Sequence, residues 1–217
     1  MQNLGLEIEI GTKDLSLITD LIRQADNKNH ILDAFSKEQL LSKTWLIEEL
    51  LAYLKPKTEL EKLVILGGWF GTLSLLLNNI PSLKIKEITN IDINKSLEWK
   101  ANLLLSNYNN FRHKTCNMLD YTFDGKEDII ICTSCEHITK KELNKLVSNL
   151  PLNVLLVLQS NNFFNLEEHV NCVNDVKEFE NQLGLELNVI KSLTLNVGFY
   201  NRFMIFAKKI KNSNIEF

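Results

Sequence analysis

The chain has 217 residues, of which 45% are hydrophobic and 24% are charged, and its formal net charge is -3. This is the balance of an ordinary globular protein, so intrinsic disorder is not expected, and the slight acidic excess argues against a large electrostatic surface for nucleic acid. No apolar run reaches the roughly 18 residues that span a bilayer, and the first residues do not resemble a secretory signal, so we expect a cytoplasmic protein.

The first 56 residues predict a helical segment that serves as a cap or lid. Residues 13–25 carry apolar side chains at helical spacing, and a polar stretch then interrupts the pattern. Ser36 followed by Gln39 resembles a capping box and opens a helix that ends near Pro56. The candidates for covering a ligand are Ser42, Lys43 and Trp45, and a core role is the favoured interpretation for Trp45.

From residue 62 onward, apolar runs typical of buried strands alternate with helical segments. The predicted strands are residues 62–68, 86–93, 111–119, 127–135, 153–160, 185–195 and 201–209. The predicted helices are residues 71–80 and 95–107, one that Thr139 and Glu142 cap and that runs towards Pro151, and residues 166–183. This alternation predicts a parallel sheet, and the last two strands, with no helix between them, predict an antiparallel hairpin at its edge. We assign residues 57–210 to one catalytic domain and residues 211–217 to a flexible tail.

A glycine-rich turn and an acidic residue form the most informative site. Gly67, Gly68 and Gly71 follow the first of these strands, where glycine lets the backbone turn sharply and approach a ligand closely. Asp92 ends the second strand, near the position of the acid that binds ribose hydroxyls about 20 residues beyond such a turn. Each feature alone is compatible with an ordinary turn, but their combination favours a nucleoside cofactor.

Three stretches resemble the class I S-adenosylmethionine-dependent methyltransferases, over roughly residues 60–209: VILGGWFGTLS, EDIIICTSCEHI and NRFMIFAKK. The resemblance implies an α/β, Rossmann-like fold with a seven-stranded, mostly parallel sheet, an antiparallel last strand and helices on both faces. It also implies S-adenosylmethionine as the cofactor, with the glycines beside its methionine part and Asp92 on the ribose. The cofactor-binding residues that it implies are Gly67, Gly68, Trp69, Gly71, Asp92, Ile93, Asn117, Met118 and Ser134.

The chain departs from this family pattern at three positions. Ile65 stands where the family usually has an acidic residue, and Trp69 replaces the middle glycine of the loop. Asn117 replaces an aspartate on the adenine side. The cofactor pocket is therefore atypical, and an altered or lost ligand is an alternative.

Glu136 and His137 are the catalytic candidates, because they follow the fourth strand of the alternating part, where the resemblance implies that acceptor and donor methyl meet. Methyl transfer to oxygen or nitrogen requires removal of a proton, and histidine titrates near the working pH. The alternative is that the pair only stabilises the loop. One glutamate and one histidine do not make a recognisable metal site, and we predict no metal.

Several other polar and aromatic residues have weaker claims to a function. Cys132 and Cys135 form a C-x-x-C, but the apolar strand around Cys132 favours buried thiols over redox or zinc chemistry. His169 and Cys172 lie three apart on a predicted helix, where an ordinary helix face is the favoured interpretation. The residues that predict a rim for a small planar or polar acceptor are Asn161, Asn162, Phe163, Phe164, Tyr200 and Asn201.

The sequence therefore predicts an S-adenosylmethionine-dependent methyltransferase that acts on an oxygen or nitrogen nucleophile of a small molecule. Nucleic-acid acceptors are disfavoured, because the motifs of base-amino and cytosine-C5 methylases are missing after the fourth strand. Two alternatives stay open: a non-catalytic or regulatory binding protein on the same fold, and an enzyme that transfers another group of the same cofactor. The sequence predicts no membrane partner and leaves the oligomeric state open.

Overall fold

The computed structural model of the chain describes residues 6–55, 58–184 and 187–210. Within these residues the helices are α1 (Thr12–Gln24), α2 (Lys28–Ala34), α3 (Lys37–Tyr53), α4 (Thr72–Asn78), α5 (Glu98–Leu104), α6 (Lys140–Asn149) and α7 (Val176–Gln182). The strands in the same residues are β1 (Glu59–Leu66), β2 (Lys84–Asp92), β3 (Phe111–Thr115), β4 (Ile129–Cys132), β5 (Leu155–Asn161), β6 (Leu187–Asn196) and β7 (Asn201–Lys209). No helix in the described part of the chain has the length and apolar character needed to cross a membrane.

The strands of the described residues form one seven-stranded sheet in the order β3-β2-β1-β4-β5-β7-β6. Strands β2 and β3 pair in parallel, and so do β4 and β5. Strand β7 runs antiparallel to both β5 and β6. The predicted sheet, with its antiparallel last strand and a closing hairpin at the edge, is confirmed.

Local capping explains why several helices begin where the sequence predicts. The Ser36 side chain accepts a hydrogen bond from the backbone N–H of Gln39 at 3.4 Å, which starts α3. Thr139 and Glu142 form a complete capping box at the start of α6. The polar stretch after α1 is a shorter interruption than expected, since Asn27 caps α2 by accepting a 3.2 Å hydrogen bond from the N–H of Asn29.

The helix predicted over residues 166–183 was wrong for its first half, where only Val176–Gln182 is helical. The backbone N–H of Asn171 donates to the carbonyl of Glu136 at 3.0 Å, and that of Val173 donates to the carbonyl of Asn161 at 3.0 Å. These N–H groups bond to distant carbonyls and not to the carbonyl four residues earlier, so tertiary contacts override the helical pattern. The segment is therefore a loop between β5 and α7.

The described chain divides into two compact units, and strand β1 is split between them. The first comprises the described residues up to Leu63 together with Gly68–Cys116, and the second comprises Val64–Gly67 and the described residues from Asn117 onward. The first unit buries Leu21, Ile31, Leu46, Ile47, Leu50 and Phe70, and the second buries Ile65, Leu66, Phe179, Phe203 and Phe206. The domain boundaries predicted from the sequence stay a prediction, and residues 211–217 lie outside the described residues.

Candidate active site

In the turn after β1 the backbone is left-handed at three positions. The φ angles are 63° at Gly67, 50° at Trp69 and 79° at Gly71. Glycine adopts such angles without steric cost, whereas a side chain makes them unfavourable by roughly 1–2 kcal/mol. Trp69 therefore stands where the backbone prefers glycine, as its replacement of the middle glycine of the family pattern suggests.

Gly68 is required for a different reason, which is the close approach of Asn90. A Cβ atom added at Gly68 would lie 1.8 Å from Oδ1 of Asn90. The Asn90 side chain is fully buried, and its Nδ2 donates a 3.3 Å hydrogen bond to the carbonyl of Trp69. Asn90 thus stabilises the turn through this hydrogen bond, and a larger residue at position 68 would displace the Asn90 side chain.

Asp92 connects the end of β2 with the same turn. Its Oδ2 accepts a hydrogen bond from the backbone N–H of Trp69 at 3.0 Å, and its Oδ1 accepts one from the N–H of Asn94 at 2.9 Å. Each carboxylate oxygen has two lone pairs, so the side chain keeps acceptor capacity for further donors. The following residue, Ile93, is 69% exposed and offers an apolar surface directly after the acid in the chain.

In the second unit, Gly67 packs against two of the predicted cofactor residues. A Cβ at Gly67 would lie 2.8 Å from Oγ of Ser134 and 3.3 Å from Cε of Met118. The Ser134 hydroxyl donates to the carbonyl of Gly67 at 3.1 Å. Asn117 uses its Oδ1 to accept the N–H of Leu119 at 2.9 Å, which leaves its amide N–H₂ as the donor that a ligand would meet.

Glu136 is the centre of a buried polar network in the second unit. Its side chain is 3% exposed, and Oε1 accepts a 2.7 Å hydrogen bond from Nδ2 of Asn161. Nη1 of Arg202 lies 3.5 Å from the same oxygen, and Nη2 of Arg202 donates to the carbonyl of Thr133 at 2.9 Å. Among the described atoms, Oε2 of Glu136 is buried and has no hydrogen-bond partner. This carboxylate therefore has one oxygen fixed by Asn161 and one buried oxygen without a hydrogen-bond partner among the described atoms.

His137 lies next to Glu136 in the chain but is exposed. Its Nδ1 lies 3.1 Å from the carbonyl of Glu168, and Nδ1 of His169 lies 2.7 Å from the carbonyl of Phe163. A carbonyl can only accept, so Nδ1 carries the proton in both rings, and the neutral rings have their lone pair at Nε2. The two imidazole rings meet edge to face, with centroids 4.8 Å apart.

The predicted acceptor rim contains a continuous aromatic cluster in the second unit. The ring of Phe163 lies 5.9 Å from that of His169, 5.5 Å from that of Phe199 and 5.4 Å from that of Tyr200, measured between centroids. Phe199 is 69% exposed, so the cluster presents an apolar surface to solvent. The cluster therefore extends from the two histidines to the β6–β7 hairpin.

The predicted rim also contains three amide residues that hold its loop through hydrogen bonds, namely Asn161, Asn162 and Asn201. Oδ1 of Asn161 accepts the N–H of Phe163 at 2.8 Å, and Oδ1 of Asn162 accepts the N–H of Asn201 at 2.7 Å. Phe164, the remaining rim candidate, is exposed. These amides fix the loop, while the aromatic rings supply its surface.

The core contains Cys132, Cys135 and Trp45, whereas the loop after β5 contains His169 and Cys172. Cys132 and Cys135 are free thiols and fully buried, and the pKa of Cys135 is raised well above its usual range by a hydrogen bond to the Cys132 residue and by burial. His169 and Cys172 lie in the loop and not on a helix, so the helix-face interpretation was wrong for both. Trp45 is buried in the core of the first unit, as the alternative to a lid role predicts.

Sequence reasoning missed Arg202 in the Glu136 network, and it missed that His169 lies close to Glu136 and His137. Arg202 is 5% exposed within an otherwise apolar strand, and a charged residue in such a run is the signal that could have identified it. His169 was considered only with its neighbour Cys172. A loop that leaves the helical pattern carries it to Glu136 and His137, and no spacing in the sequence predicts that meeting.

No family model matches the chain, and no curated protein matches it. Solved structures do match. The structure of the N-methyltransferase NodS from Bradyrhizobium japonicum WM9 in complex with S-adenosyl-L-homocysteine is 13% identical, with a TM-score of 0.64 over 92% of this chain and 99% of that chain.

Two further solved structures share the architecture. The mitomycin 7-O-methyltransferase MmcR is 13% identical, with a TM-score of 0.61 over 89% of this chain and 60% of that chain. MtNAS in complex with MTA and tNA is 9% identical, with a TM-score of 0.59 over 91% of this chain and 70% of that chain. The strand order, the antiparallel β7 and these likenesses agree with the resemblance seen in the sequence. The chain has the Rossmann-like fold of the class I S-adenosylmethionine-dependent methyltransferases.

Proposed function

We propose that the chain binds S-adenosylmethionine and transfers its methyl group to an oxygen or nitrogen nucleophile of a small molecule. The observation that carries this proposal is the link between Asp92 and the turn after β1, where the carboxylate accepts the N–H of Trp69 at 3.0 Å. In folds of this class, an acid at the end of the second strand binds ribose hydroxyls beside a glycine turn. Asp92 ends β2 beside this turn and keeps further acceptor capacity, which supports the proposed ribose contact.

The first unit would bind the nucleoside side of the cofactor. Gly68 and Gly71 keep side chains away from the turn, and Asp92 would accept the two ribose hydroxyls. Ile93 is 69% exposed, so an adenine ring laid against it would bury apolar surface that is otherwise in water. Trp69 stands at the position of the family's middle glycine. Its side chain would leave less space for a ligand beside this turn, and its backbone would contact the ligand.

The remaining cofactor residues that the family resemblance implies are Gly67, Asn117, Met118 and Ser134, which belong to the second unit. Met118 and Ser134 pack on Gly67, within 3.3 Å of the place that a Cβ would take. A thioether side chain such as that of Met118 adapts its shape to an aromatic ring, which suits the adenine contact implied by the family resemblance. The amide N–H₂ of Asn117 replaces an acid there and would donate to the ring where a carboxylate would accept.

Glu136 and His137 would act on the acceptor. Glu136 is fixed by Asn161 and Arg202, which suits a positioning role. His137 keeps an Nε2 lone pair that can accept the proton of a hydroxyl or amine, because its Nδ1 is engaged by the carbonyl of Glu168. The aromatic cluster around Phe163 would stack on a planar acceptor. Since the sulfonium is already activated, alignment of methyl and acceptor supplies most of the rate.

A second candidate is transfer of another group of S-adenosylmethionine. MtNAS, which shares the fold, has been solved both with S-adenosylmethionine and with MTA and tNA, and this supports the candidate. A third is a binding protein without catalysis, which the left-handed Trp69 and the buried Ile65 favour. The proposal includes a cytoplasmic location, which the four free cysteines support.

Mass spectrometry of the chain incubated with cell extract and methyl-labelled S-adenosylmethionine separates these candidates. Methyl transfer predicts a labelled small molecule and release of S-adenosylhomocysteine, whereas aminocarboxypropyl transfer would release labelled methylthioadenosine. The Asp92→Ala variant is the matched control and should transfer little label. Cofactor binding without any transferred label would favour the non-catalytic candidate and contradict the proposal.

A further inference from the structure

Glu136, His137 and His169 bring three metal-ligating groups together in the second unit. A carboxylate oxygen of Glu136 and one ring nitrogen of each histidine lie within 4.8 Å of one another. Two ligands of one ion lie roughly 3–3.4 Å apart, because metal–nitrogen and metal–oxygen distances are about 2.0–2.2 Å. His137 is exposed, so a small side-chain movement that keeps its hydrogen bond to the carbonyl of Glu168 would bring the three atoms towards that spacing.

The hydrogen bonds of both histidines leave the correct nitrogen available. Nδ1 of His137 donates to the carbonyl of Glu168, and Nδ1 of His169 donates to the carbonyl of Phe163. Histidines that ligate metals almost always donate their other ring N–H to a carbonyl or carboxylate, which fixes the tautomer and the orientation of the ring. Both rings already have this arrangement.

Glu136 gives an independent indication of a ligand. Its Oε1 is held by Asn161 and faces Arg202, whereas its Oε2 is buried without a partner among the described atoms. A buried oxygen without a partner is unfavourable, so such atoms usually have a ligand, an ion or a water. A metal ion at Oε2 would satisfy it.

We propose that Glu136, His137 and His169 bind one divalent transition-metal ion. Two imidazoles and one carboxylate form the ligand set of catalytic zinc and of non-haem iron sites, and these sites keep open coordination positions. Magnesium and calcium prefer sites built from oxygen ligands only. The class of ion is therefore Zn²⁺, Fe²⁺, Co²⁺ or Mn²⁺.

Cys172 lies outside this ligand set although it is close to His169. Its Sγ contacts Oδ1 of Asn161 at 3.2 Å and the carbonyl of Phe163 at 3.3 Å, and it lies 3.7 Å from Nδ1 of His169, the protonated nitrogen. The thiol is therefore on the far side of the ring from the lone pair that would bind the ion. Substitution of Cys172 is accordingly a useful control.

The proposed metal site adds to the proposed function. Only the catalytic role of the ion rests on that function, whereas binding of the ion does not. An ion at this place would bind the acceptor through an oxygen atom and lower the pKa of a coordinated hydroxyl. The acceptor would then carry a hydroxyl or carboxylate beside the methylated atom. With its Nε2 lone pair on the ion, His137 would act as a ligand in place of the base role that the proposed function gives it. Binding of the metal itself requires no donor, so it is testable whether or not the chain transfers a methyl group.

The test is a titration of the chelator-treated full chain with Co²⁺, followed by visible absorption, and with Zn²⁺, followed by calorimetry. We expect one ion per chain and ligand-field bands of protein-bound Co²⁺. His137→Gln and His169→Gln should each weaken binding by at least tenfold, and millimolar Mg²⁺ should not compete. His30→Gln, an exposed histidine on α2, and Cys172→Ser should keep the wild-type affinity.

His137→Gln is the decisive variant, because its side chain is exposed and its loss should not affect folding, which circular dichroism can verify. The proposal is overturned if the wild type binds no ion, or if the stoichiometry differs from one ion per chain. It is also overturned if both histidine variants bind as tightly as the wild type, or if Mg²⁺ displaces Zn²⁺. Failure of this test with intact binding of S-adenosylmethionine would leave His137 as a direct base and the proposed function standing.

Discussion

The backbone N–H of Trp69 donates a 3.0 Å hydrogen bond to Oδ2 of Asp92. Trp69 has a left-handed backbone, so the turn directs this N–H to the acid at the cost of strain in a residue other than glycine. The same carboxylate accepts the N–H of Asn94, which fixes both of its oxygens. The position of Asp92, which we propose binds the ribose hydroxyls, thus depends on the conformation of the turn after β1.

Asp92→Ala should weaken binding of S-adenosylmethionine roughly ten- to a hundredfold, because charge-assisted hydrogen bonds to the ribose contribute about 1.5–3 kcal/mol. The variant should also lose some stability, since two backbone N–H groups lose their acceptor. Calorimetric titration measures the affinity, and the exposed Asp26→Ala is the control for a lost carboxylate. Wild-type affinity in Asp92→Ala would reduce Asp92 to a turn residue.

Trp69→Gly should be more stable than Trp69→Ala by about 1 kcal/mol, which reverses the usual order of these two residues. Both variants lose the ring contact with Phe70, whose centroid lies 4.8 Å from that of Trp69, so the contact cancels from the comparison. Only alanine retains the unfavourable φ of 50°. Urea unfolding of both variants measures the difference, and a more stable alanine variant would show that the backbone there is not strained.

Arg202→Met should destabilise the fold by about 3–5 kcal/mol, because it leaves the buried carboxylate of Glu136 without its counter-charge. The double variant Glu136→Gln with Arg202→Met should recover part of that loss, since the charge is then removed together with its partner. Denaturant unfolding of the four proteins gives the coupling energy. The control is Arg23→Met, which breaks an exposed ion pair with Asp20 and should change stability by at most about 1 kcal/mol. Equal effects of the two arginine substitutions would contradict the network.

Cys172 should react slowly with iodoacetamide at pH 8. Burial raises the pKa of its thiol to about 11, with the charge of Glu136 as the next contribution. Only the thiolate reacts, so the rate should rise about tenfold per pH unit from 8 and level off near 11. Peptide mass spectrometry of the alkylated protein measures this profile against a small reference thiol. A plateau near pH 9 would mean that the thiol is exposed and not held in the loop.

The sheet could be predicted from local patterns, but the contacts around Glu136 could not. Unbroken apolar runs, such as the one in β5, and the capping pair Thr139 and Glu142 act locally, so they are visible in the sequence. The loop carrying His169 depends on the N–H of Asn171, which reaches the carbonyl of Glu136. Because that bond joins residues far apart in the chain, a single sequence contains no periodic signal for it.

The glycine turn lies between these two cases. The sequence predicts that Gly67, Gly68 and Gly71 form a ligand-binding turn, and their backbone angles and close contacts explain why glycine is needed there. It also predicts that Trp69 is an atypical residue of the turn. The hydrogen bond from Trp69 to Asp92 could not be predicted, because it depends on the left-handed conformation that the tryptophan adopts.

The most direct test of the proposed function is calorimetric titration of the wild-type chain with S-adenosylmethionine and with S-adenosylhomocysteine. We predict saturable binding of both at one ligand per chain, no binding of NAD, and a rise in Tm. The stabilisation at a hundredfold excess over Kd should be about 2.7 kcal/mol, because a ligand that binds only the folded state stabilises it by mass action. No heat of binding and no change in Tm at millimolar concentrations of either compound would contradict the account.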